Sequence, residues 1–166
     1  MKLGRVLKHL LYPDWLARRA FPPAVMARIE RAIADSEAQH RGELRFAVEA
    51  SLPLIPLLSG CSARARALAV FAELGVWDTE ENNGVLIYLL MADRDVEIVA
   101  DRGIARQVPA ERWQAICAAM EAHFRAGRHC DGVLAGIAAL TALLRPLYPR
   151  SGEPVNELPD RPVRLD

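Results

Sequence analysis

The chain has 166 residues, of which 52% are apolar and 25% are charged. This composition predicts one globular domain with a single hydrophobic core and excludes an intrinsically disordered chain. Lys plus Arg equals Asp plus Glu, at 21 each, so the whole molecule has no net field that would attract nucleic acid. Cys61, Cys117 and Cys130 form no Cys-x-x-Cys pair, which favours a reducing compartment and excludes a disulfide framework.

Residues 1–21 form a basic amphipathic N-terminal segment, with five Lys or Arg against one Asp. Leucine and aromatic side chains alternate with these charges, as in helices that lie on a membrane surface or pack on a partner helix. The plainer alternative, which we favour, is that the segment docks on its own domain. It contains no unbroken apolar core, so it does not resemble a secretory signal.

The next part of the chain predicts a helix, a strand and a second helix. Pro22 and Pro23 indicate a helix start, and apolar residues recur at helical spacing to about His40. Apolar and charged residues alternate over residues 43–50, as in a half-buried strand. Prolines and glycine interrupt regular structure over residues 53–60. Ser62 then predicts the N-cap of a helix that ends near residue 75.

Residues 84–103 predict a hairpin. The apolar run 84–91 is typical of a central strand covered on both faces, and residues 96–101 resume a strand after four turn residues. Two helices follow: one opens at Pro109 and continues to about residue 127, and Asp131 is the predicted cap of the last, which runs through residue 144.

These elements predict an α/β domain over residues 22–148, with a small mixed sheet flanked by helices on both faces. The sheet contains a central antiparallel hairpin, and its first two strands run parallel because a helix connects them. Residues 149–166 form a Pro-rich tail, for which the sequence predicts an extended or disordered appendage. No uncharged run reaches the roughly 20 residues of a transmembrane helix.

Polar residues fall at the two ends of the predicted hairpin, which lie about 23 Å apart for a seven-residue strand. The end opposite the turn combines an acidic loop with Asp101 on the neighbouring strand. Asp78, Glu81 and Asp101 are candidate ligands for calcium or magnesium, which prefer oxygen ligands. Asn82, Asn83 and Arg102 are candidate ligand-binding residues, among which Arg102 would hold a phosphate group. Asp101 and Arg102 are the candidate catalytic residues. The alternative is a solvated acidic loop in which both asparagines form the turn.

Two other polar groups have simpler explanations. Asp93, Arg94 and Asp95 are typical turn residues, although they could also bind a ligand. His129, Cys130 and Asp131 are sequence neighbours and therefore do not face one another as a catalytic triad must.

Several motifs of the chain resemble those of the TPM-domain family, over about residues 25–147. They are Trp77-Asp78-Thr79, Asn83-Gly84-Val85-Leu86-Ile87, Ala92-Asp93-Arg94, Val96-Glu97-Ile98, Asp101-Arg102-Gly103-Ile104, and Phe124 with Gly127, Gly132 and Gly136-Ile137. The resemblance implies a small sheet between helices, which agrees with the predicted order of elements. It is to the short bacterial branch of the family, whose members have neither signal peptide nor membrane helix.

The resemblance implies several activities. Plant members of the family are tied to photosystem II repair and act as acid phosphatases, some members bind calcium, and animal members modulate a receptor channel. Many relatives have Asp immediately before the Asn-Gly pair, whereas this chain has Asn82, one negative charge fewer for a cation. Asp78 and Asp101 are the carboxylates best placed to compensate.

Two functions follow as expectations. The first is a non-catalytic binding or assembly module that is cytoplasmic, at the periphery of the inner membrane, and meets a membrane-protein partner through the N-terminal segment or the Pro-rich tail. The second is a divalent-cation-dependent phosphatase that hydrolyses phosphate esters at the Asp78, Glu81, Asp101 and Arg102 end of the hairpin.

Overall fold

The computed structural model describes residues 3–153 and 155–165 as eight helices and four strands within those ranges. The helices are α1 (Leu3–Leu10), α2 (Asp14–Ala20), α3 (Pro23–Glu37), α4 (Leu54–Leu58), α5 (Ala63–Glu73), α6 (Arg102–Ala105), α7 (Ala110–Arg125) and α8 (His129–Leu147). The strands are β1 (Glu43–Glu49), β2 (Gly84–Leu90), β3 (Asp95–Ala100) and β4 (Val163–Leu165).

The four strands form one open mixed sheet in the order β3-β2-β1-β4. β1 and β2 run parallel, with Glu43 beside Gly84 and Glu49 beside Leu90. β2 and β3 form the antiparallel hairpin, which pairs Val85 with Ala100 and Leu90 with Asp95. The predicted α/β class, the parallel crossover and the hairpin are therefore confirmed.

Helices cover both faces of the sheet, as its fully buried central strands require. Every residue of β1 and β2 is buried, so side chains from alternate positions enter two separate cores. One core contains Phe46 and Ile87 and is closed by α3, α7 and α8. The other contains Ala47 and Tyr88 and is closed mainly by α5 and α4.

Several local expectations agree with the structure in detail. The Ser62 hydroxyl accepts a hydrogen bond from the Ala65 N–H at 3.1 Å and so caps α5 as predicted. Gly136 lies against Met120 and Gly132 against Phe124, so closely that a Cβ atom at either position would meet these side chains. The glycines of α8 therefore let it pack closely on α7.

Two expectations about element ends are wrong. Asp131 does not cap α8, because the helix begins two residues earlier at His129 and Asp131 lies in its first turn. The interrupted stretch after residue 53 contains the short helix α4, whose exposed apolar residues gave no periodic signal.

The Pro-rich tail is part of the sheet and not an appendage. Its last residues form β4, which pairs in parallel with Ala47, Val48 and Glu49 of β1. Leu158 is buried against the core, and its N–H donates to the Glu43 carboxylate at 3.1 Å. The buried Arg45 guanidinium donates to the carbonyl oxygens of Pro159 and Arg161. The tail thus satisfies polar groups at the edge of β1.

α8 is the one helix in the described part of the chain with the length and apolarity to cross a membrane. It packs between α3 and α7 and buries Val133, Ile137, Leu140 and Leu144 in the domain core. These contacts explain its composition without a membrane.

Candidate functional site

The structure brings the loop 78–83 and the start of α6 together at one end of the sheet. The Asp101 N–H donates to the Gly84 carbonyl at 2.8 Å, and the Gly103 N–H donates to the Asn82 carbonyl at 3.1 Å. Asn82 has a φ of 51°, a left-handed conformation that asparagine adopts more readily than most residues. The residue thus turns the loop into β2, as the structural alternative expected.

Of the three side chains proposed as metal ligands, Asp101 and Glu81 have partners within the protein and Asp78 is exposed. One oxygen of Asp101 accepts the Arg102 N–H at 2.6 Å and caps α6. Glu81 forms an ion pair with Arg41, while Asp78 and Arg102 are exposed. Within residues 3–153 and 155–165, no three His, Cys, Asp or Glu side chains are grouped to hold a metal ion.

Two buried oxygens at this end have no hydrogen-bond partner among the described residues: Oδ2 of Asp101 and Oδ1 of Asn83. The amide nitrogen of Asn83 donates to the Arg41 carbonyl, which leaves its oxygen as a free acceptor. A buried acceptor without a partner is destabilising unless water or a ligand reaches it. Of the predicted site residues, these two are the ones with unused binding capacity.

An acidic cavity of about 280 Å³ opens beside Asn83, between the end of α3, the start of β1 and the tail. Its carboxylates come from all three elements and from the loop 78–83; they are Glu37, Glu43, Glu80, Glu81, Glu153, Glu157 and Asp160. The sequence interpretation missed this cavity. One signal was present, because Glu37 extends the buried stripe of Ile29 and Ile33 by a further helical turn.

Glu37 is the most perturbed carboxyl in the cavity. Burial raises the pKa of Glu37 to about 9. The Leu44 N–H, which donates to Oε1 of Glu37 at 2.6 Å, lowers the pKa but does not outweigh burial. The nearby Glu43 and Asp160 carboxylates raise the pKa further. Glu37 therefore carries a proton at neutral pH, and the deep wall of the cavity is less negative than its rim.

His40 is buried beside Glu37 in a chain of hydrogen bonds. Its Nδ1 accepts the Gly42 N–H at 3.1 Å, and its Nε2 lies 2.9 Å from the Ser36 hydroxyl. Ser36 contacts the hydroxyl of Thr141 at 2.6 Å, which in turn donates to the Ile137 carbonyl. Burial lowers the pKa of His40 to about 4, so the ring is neutral and joins α3 to α8 structurally.

The opposite end of the sheet holds the N-terminal segment in place. Arg5 of α1 donates to Oδ2 of Asp93 in the hairpin turn at 2.8 and 2.9 Å, and to the Cys61 carbonyl at 2.7 Å. Nε2 of the buried His9 lies 3.1 Å from Oδ1 of Asp93, and its Nδ1 accepts the Leu52 N–H. Burial raises the pKa of Asp93, but the contacts with Arg5 and His9 outweigh that effect and lower it overall.

This attachment buries one face of α1 and exposes another. Val6 and His9 face the domain, whereas Leu3 and Leu11 are 76% and 71% exposed. α1 packs against α4, whose Ile55 is 82% exposed. We define the α1–α4 face by the exposed apolar residues of this region; they are Leu3, Leu7, Leu10, Leu11, Leu54, Ile55 and Leu58.

The chain belongs to the class of α/β domains in which a mixed sheet lies between two layers of helices. Its four-stranded sheet has a parallel central pair and an antiparallel hairpin. The chain is a member of the TPM-domain family, because the sequence model of the TPM domain matches residues 18–143. The matched region begins within α2 and ends within α8.

Solved structures share this fold. The BA42 protein of the psychrophilic bacterium Bizionia argentinensis is 28% identical, with a TM-score of 0.75 over 85% of this chain and 92% of that one. The N-terminal domain of a protein from P. gingivalis is 18% identical, with a TM-score of 0.61 over 79% of this chain and 82% of that one. The N-terminal domain of cg2496 from Corynebacterium glutamicum is 13% identical, with a TM-score of 0.56 over 81% and 80%. No curated protein matches the chain.

Replacing Glu37 by Gln should change how stability depends on pH. Between the ordinary carboxyl pKa and about 9, folded Glu37 keeps a proton that the unfolded chain releases, so stability falls as pH rises through this window. Glu37→Gln removes that proton but retains an acceptor for the Leu44 N–H. Relative to the wild type, the variant should gain free energy of unfolding as pH rises, by up to about 1.4 kcal/mol per pH unit.

Urea denaturation across this pH range measures the effect, with Asp35→Asn as the control, an exposed carboxyl on the same helix. The control should keep the pH dependence of the wild type. Parallel stability profiles for Glu37→Gln and the wild type would contradict a protonated Glu37 in the folded state.

Proposed function

We propose that the protein is a non-catalytic binding module at the cytoplasmic side of the cell envelope, which docks on a membrane-protein partner through the α1–α4 face. The supporting observation is that α1 and α4 pack against each other and that both helices carry exposed apolar residues. Apolar residues scattered singly over a surface are normal, but a contiguous patch is typical of an interaction site.

The charges of the N-terminal segment support a partner at a membrane. Lys8 is exposed on α1, and Trp15 and Arg18 are exposed on α2. Apolar and aromatic side chains bordered by cations are suited to the negative cytoplasmic surface of a membrane, where a membrane protein presents its juxtamembrane segments.

The way α1 is attached also supports a docking role. Arg5 and His9 are committed to Asp93, so the helix is held firmly while its leucines stay exposed. A rigid surface loses less conformational entropy on binding than a flexible one. The Pro-rich tail, the other segment considered for partner binding, is paired with β1 through β4 and is therefore less available.

Replacing Leu7 and Leu11 together by Ser should abolish docking and leave the fold intact, because both side chains are more than half exposed. Membrane fractionation of cells that produce the full chain, with in-cell crosslinking to detect a partner, measures the effect. The wild type should be found with the membrane and in a crosslinked complex, and the double variant in neither.

Val155→Ser is the matched control, since Val155 is 76% exposed but lies in the tail beside the acidic cavity. It should fractionate and crosslink like the wild type. The docking proposal is wrong if the wild type is recovered wholly outside the membrane fraction and forms no crosslinked complex. It is also wrong if the Leu7 and Leu11 variant fractionates and crosslinks like the wild type.

A second candidate function is a phosphatase that depends on calcium or magnesium. One observation favours it: Oδ2 of the buried Asp101 has no partner in the described part of the chain and is free to bind a cation. Asp78 and Glu81 would complete the ligands, with Asn82, Asn83 and Arg102 toward the phosphate. Glu81 would first have to leave Arg41 to bind a cation.

Replacing Asp101 by Asn separates the two candidates. Asn removes the charge but caps a helix about as well as Asp, so α6 should persist. The phosphatase candidate predicts that Asp101→Asn loses calcium binding in titration calorimetry and hydrolysis of a generic phosphate ester together. If the wild type shows no hydrolysis with calcium, magnesium or manganese, the phosphatase candidate is rejected.

A further inference from the structure

A cleft lies at the N-terminus of α8, outside the carboxyl ends of the parallel strands β1 and β2. It consists of two adjoining cavities of about 490 and 320 Å³, enclosed by α2, the end of β2 and the start of α8. We call it the α8 cleft; the residues common to both cavities are Tyr12, Leu16, Met91, Gly127 and His129. The carboxyl ends of parallel strands are where ligands bind in open α/β sheets.

The α8 cleft is strongly basic. Arg19 and Arg128 line one cavity and Arg94 and Arg125 line the other, against a single carboxylate, Asp131. Arg125 is paired with Glu121 at 3.5 Å. Within the described ranges, neither Arg19 nor Arg94 forms an ion pair with a carboxylate, so their charge is not neutralised by the protein. Cations converging on a cavity raise the local concentration of anions.

The first turn of α8 adds backbone donors to this cleft. Along the start of α8, Gly132 is the first residue whose N–H bonds within the helix; it donates to the Arg128 carbonyl at 3.0 Å. The residues before it, His129, Cys130 and Asp131, line the cleft, and no side chain caps the helix at Arg128. Uncapped N–H groups of a 19-residue helix carry a partial positive charge that stabilises anions.

Tyr12 supplies a further donor. Burial raises the pKa of its hydroxyl, and the neighbouring Arg94 offsets this only partly, so the group remains protonated at neutral pH. The cleft therefore combines unpaired guanidinium groups, free backbone N–H groups and a neutral hydroxyl, all of which donate hydrogen bonds.

We propose that the α8 cleft binds a phosphate group, carried either by a soluble phosphate ester or by the headgroup of an anionic lipid. Guanidinium groups match two phosphate oxygens at once, and a helix N-terminus binds a third. This site is separate from the α1–α4 face and from the carboxylates at the other end of the sheet, so it extends beyond the docking function and does not depend on it.

Titration of the isotope-labelled full chain with inorganic phosphate, at constant ionic strength, tests the site directly. The backbone amide signals of His129, Cys130 and Asp131 should shift and saturate. The double variant Arg19→Ala and Arg94→Asn should bind phosphate about tenfold more weakly or worse, because each charge-assisted hydrogen bond contributes strongly. Asn is chosen because Arg94 has a φ of 56°, which Asn tolerates.

The matched control is Arg28→Ala with Arg112→Ala, which removes the same charge from exposed residues outside the α8 cleft. Its phosphate affinity should equal that of the wild type. Equal weakening in both double variants would show nonspecific attraction and overturn the proposal, as would the absence of saturable shifts at the start of α8. The Leu7 and Leu11 variant should still bind inorganic phosphate, which separates this test from that of docking.

Vesicles of phosphatidylglycerol and of phosphatidylcholine identify the source of the phosphate. If the Arg19 and Arg94 variant binds phosphatidylglycerol vesicles more weakly and the control variant does not, the site binds a lipid headgroup. Saturable phosphate binding with unchanged vesicle binding assigns it to a soluble phosphate ester. Both results support a phosphate site at α8, whereas failure of both ligands to bind there rejects it.

Discussion

The parallel pairing of β1 with β2 is the constraint on which the rest of the structure depends. All seven residues of each strand are buried, so helices must cover both faces of the sheet. Parallel strands also need a crossover, which α4 and α5 supply on one face while α3, α7 and α8 cover the other. The pairing leaves two sheet edges, which β3 and β4 occupy, and two sheet ends, where loops and helix termini gather.

The two ends of the sheet differ in charge because different segments neutralise them. At one end, carboxylates from α3, β1 and the tail crowd an acidic cavity, and Glu37 relieves the repulsion by keeping its proton. At the other end, Asp93 forms an ion pair with Arg5 and contacts His9, and arginines line the cleft at the start of α8. A chain of zero net charge thus presents an acidic end and a basic end, which explains why overall composition says little about its ligands.

Local sequence patterns predicted the elements that depend on local interactions. The apolar run of β2 and the Ser62 cap follow from strand burial and helix ends. The alternation of β1 predicted a strand correctly, but the expectation that it is half-buried is wrong. Its charged residues Glu43, Arg45 and Glu49 are also buried, because the tail and α5 supply their partners. β4 escaped prediction because a three-residue strand forms only where a distant edge accepts it. The predicted grouping of Asp78, Glu81 and Asp101 rested on the hairpin, which does bring the loop and Asp101 to one end of the sheet. The ion pair of Glu81 with Arg41, from another loop, had no signal in the sequence. The pKa of Glu37 likewise arises from burial and neighbours that only the folded chain brings together.

Asp93 holds α1 against the hairpin turn, and the proposed docking face depends on this attachment. Amide hydrogen exchange of α1 in the Asp93→Asn variant measures this attachment most directly. The control is Asp95→Asn, because Asp95 forms no ion pair with α1 within the described residues. Losing a partly buried ion pair should reduce protection of α1 about tenfold or more and leave the sheet protected. Unchanged protection of α1 in Asp93→Asn would contradict the account.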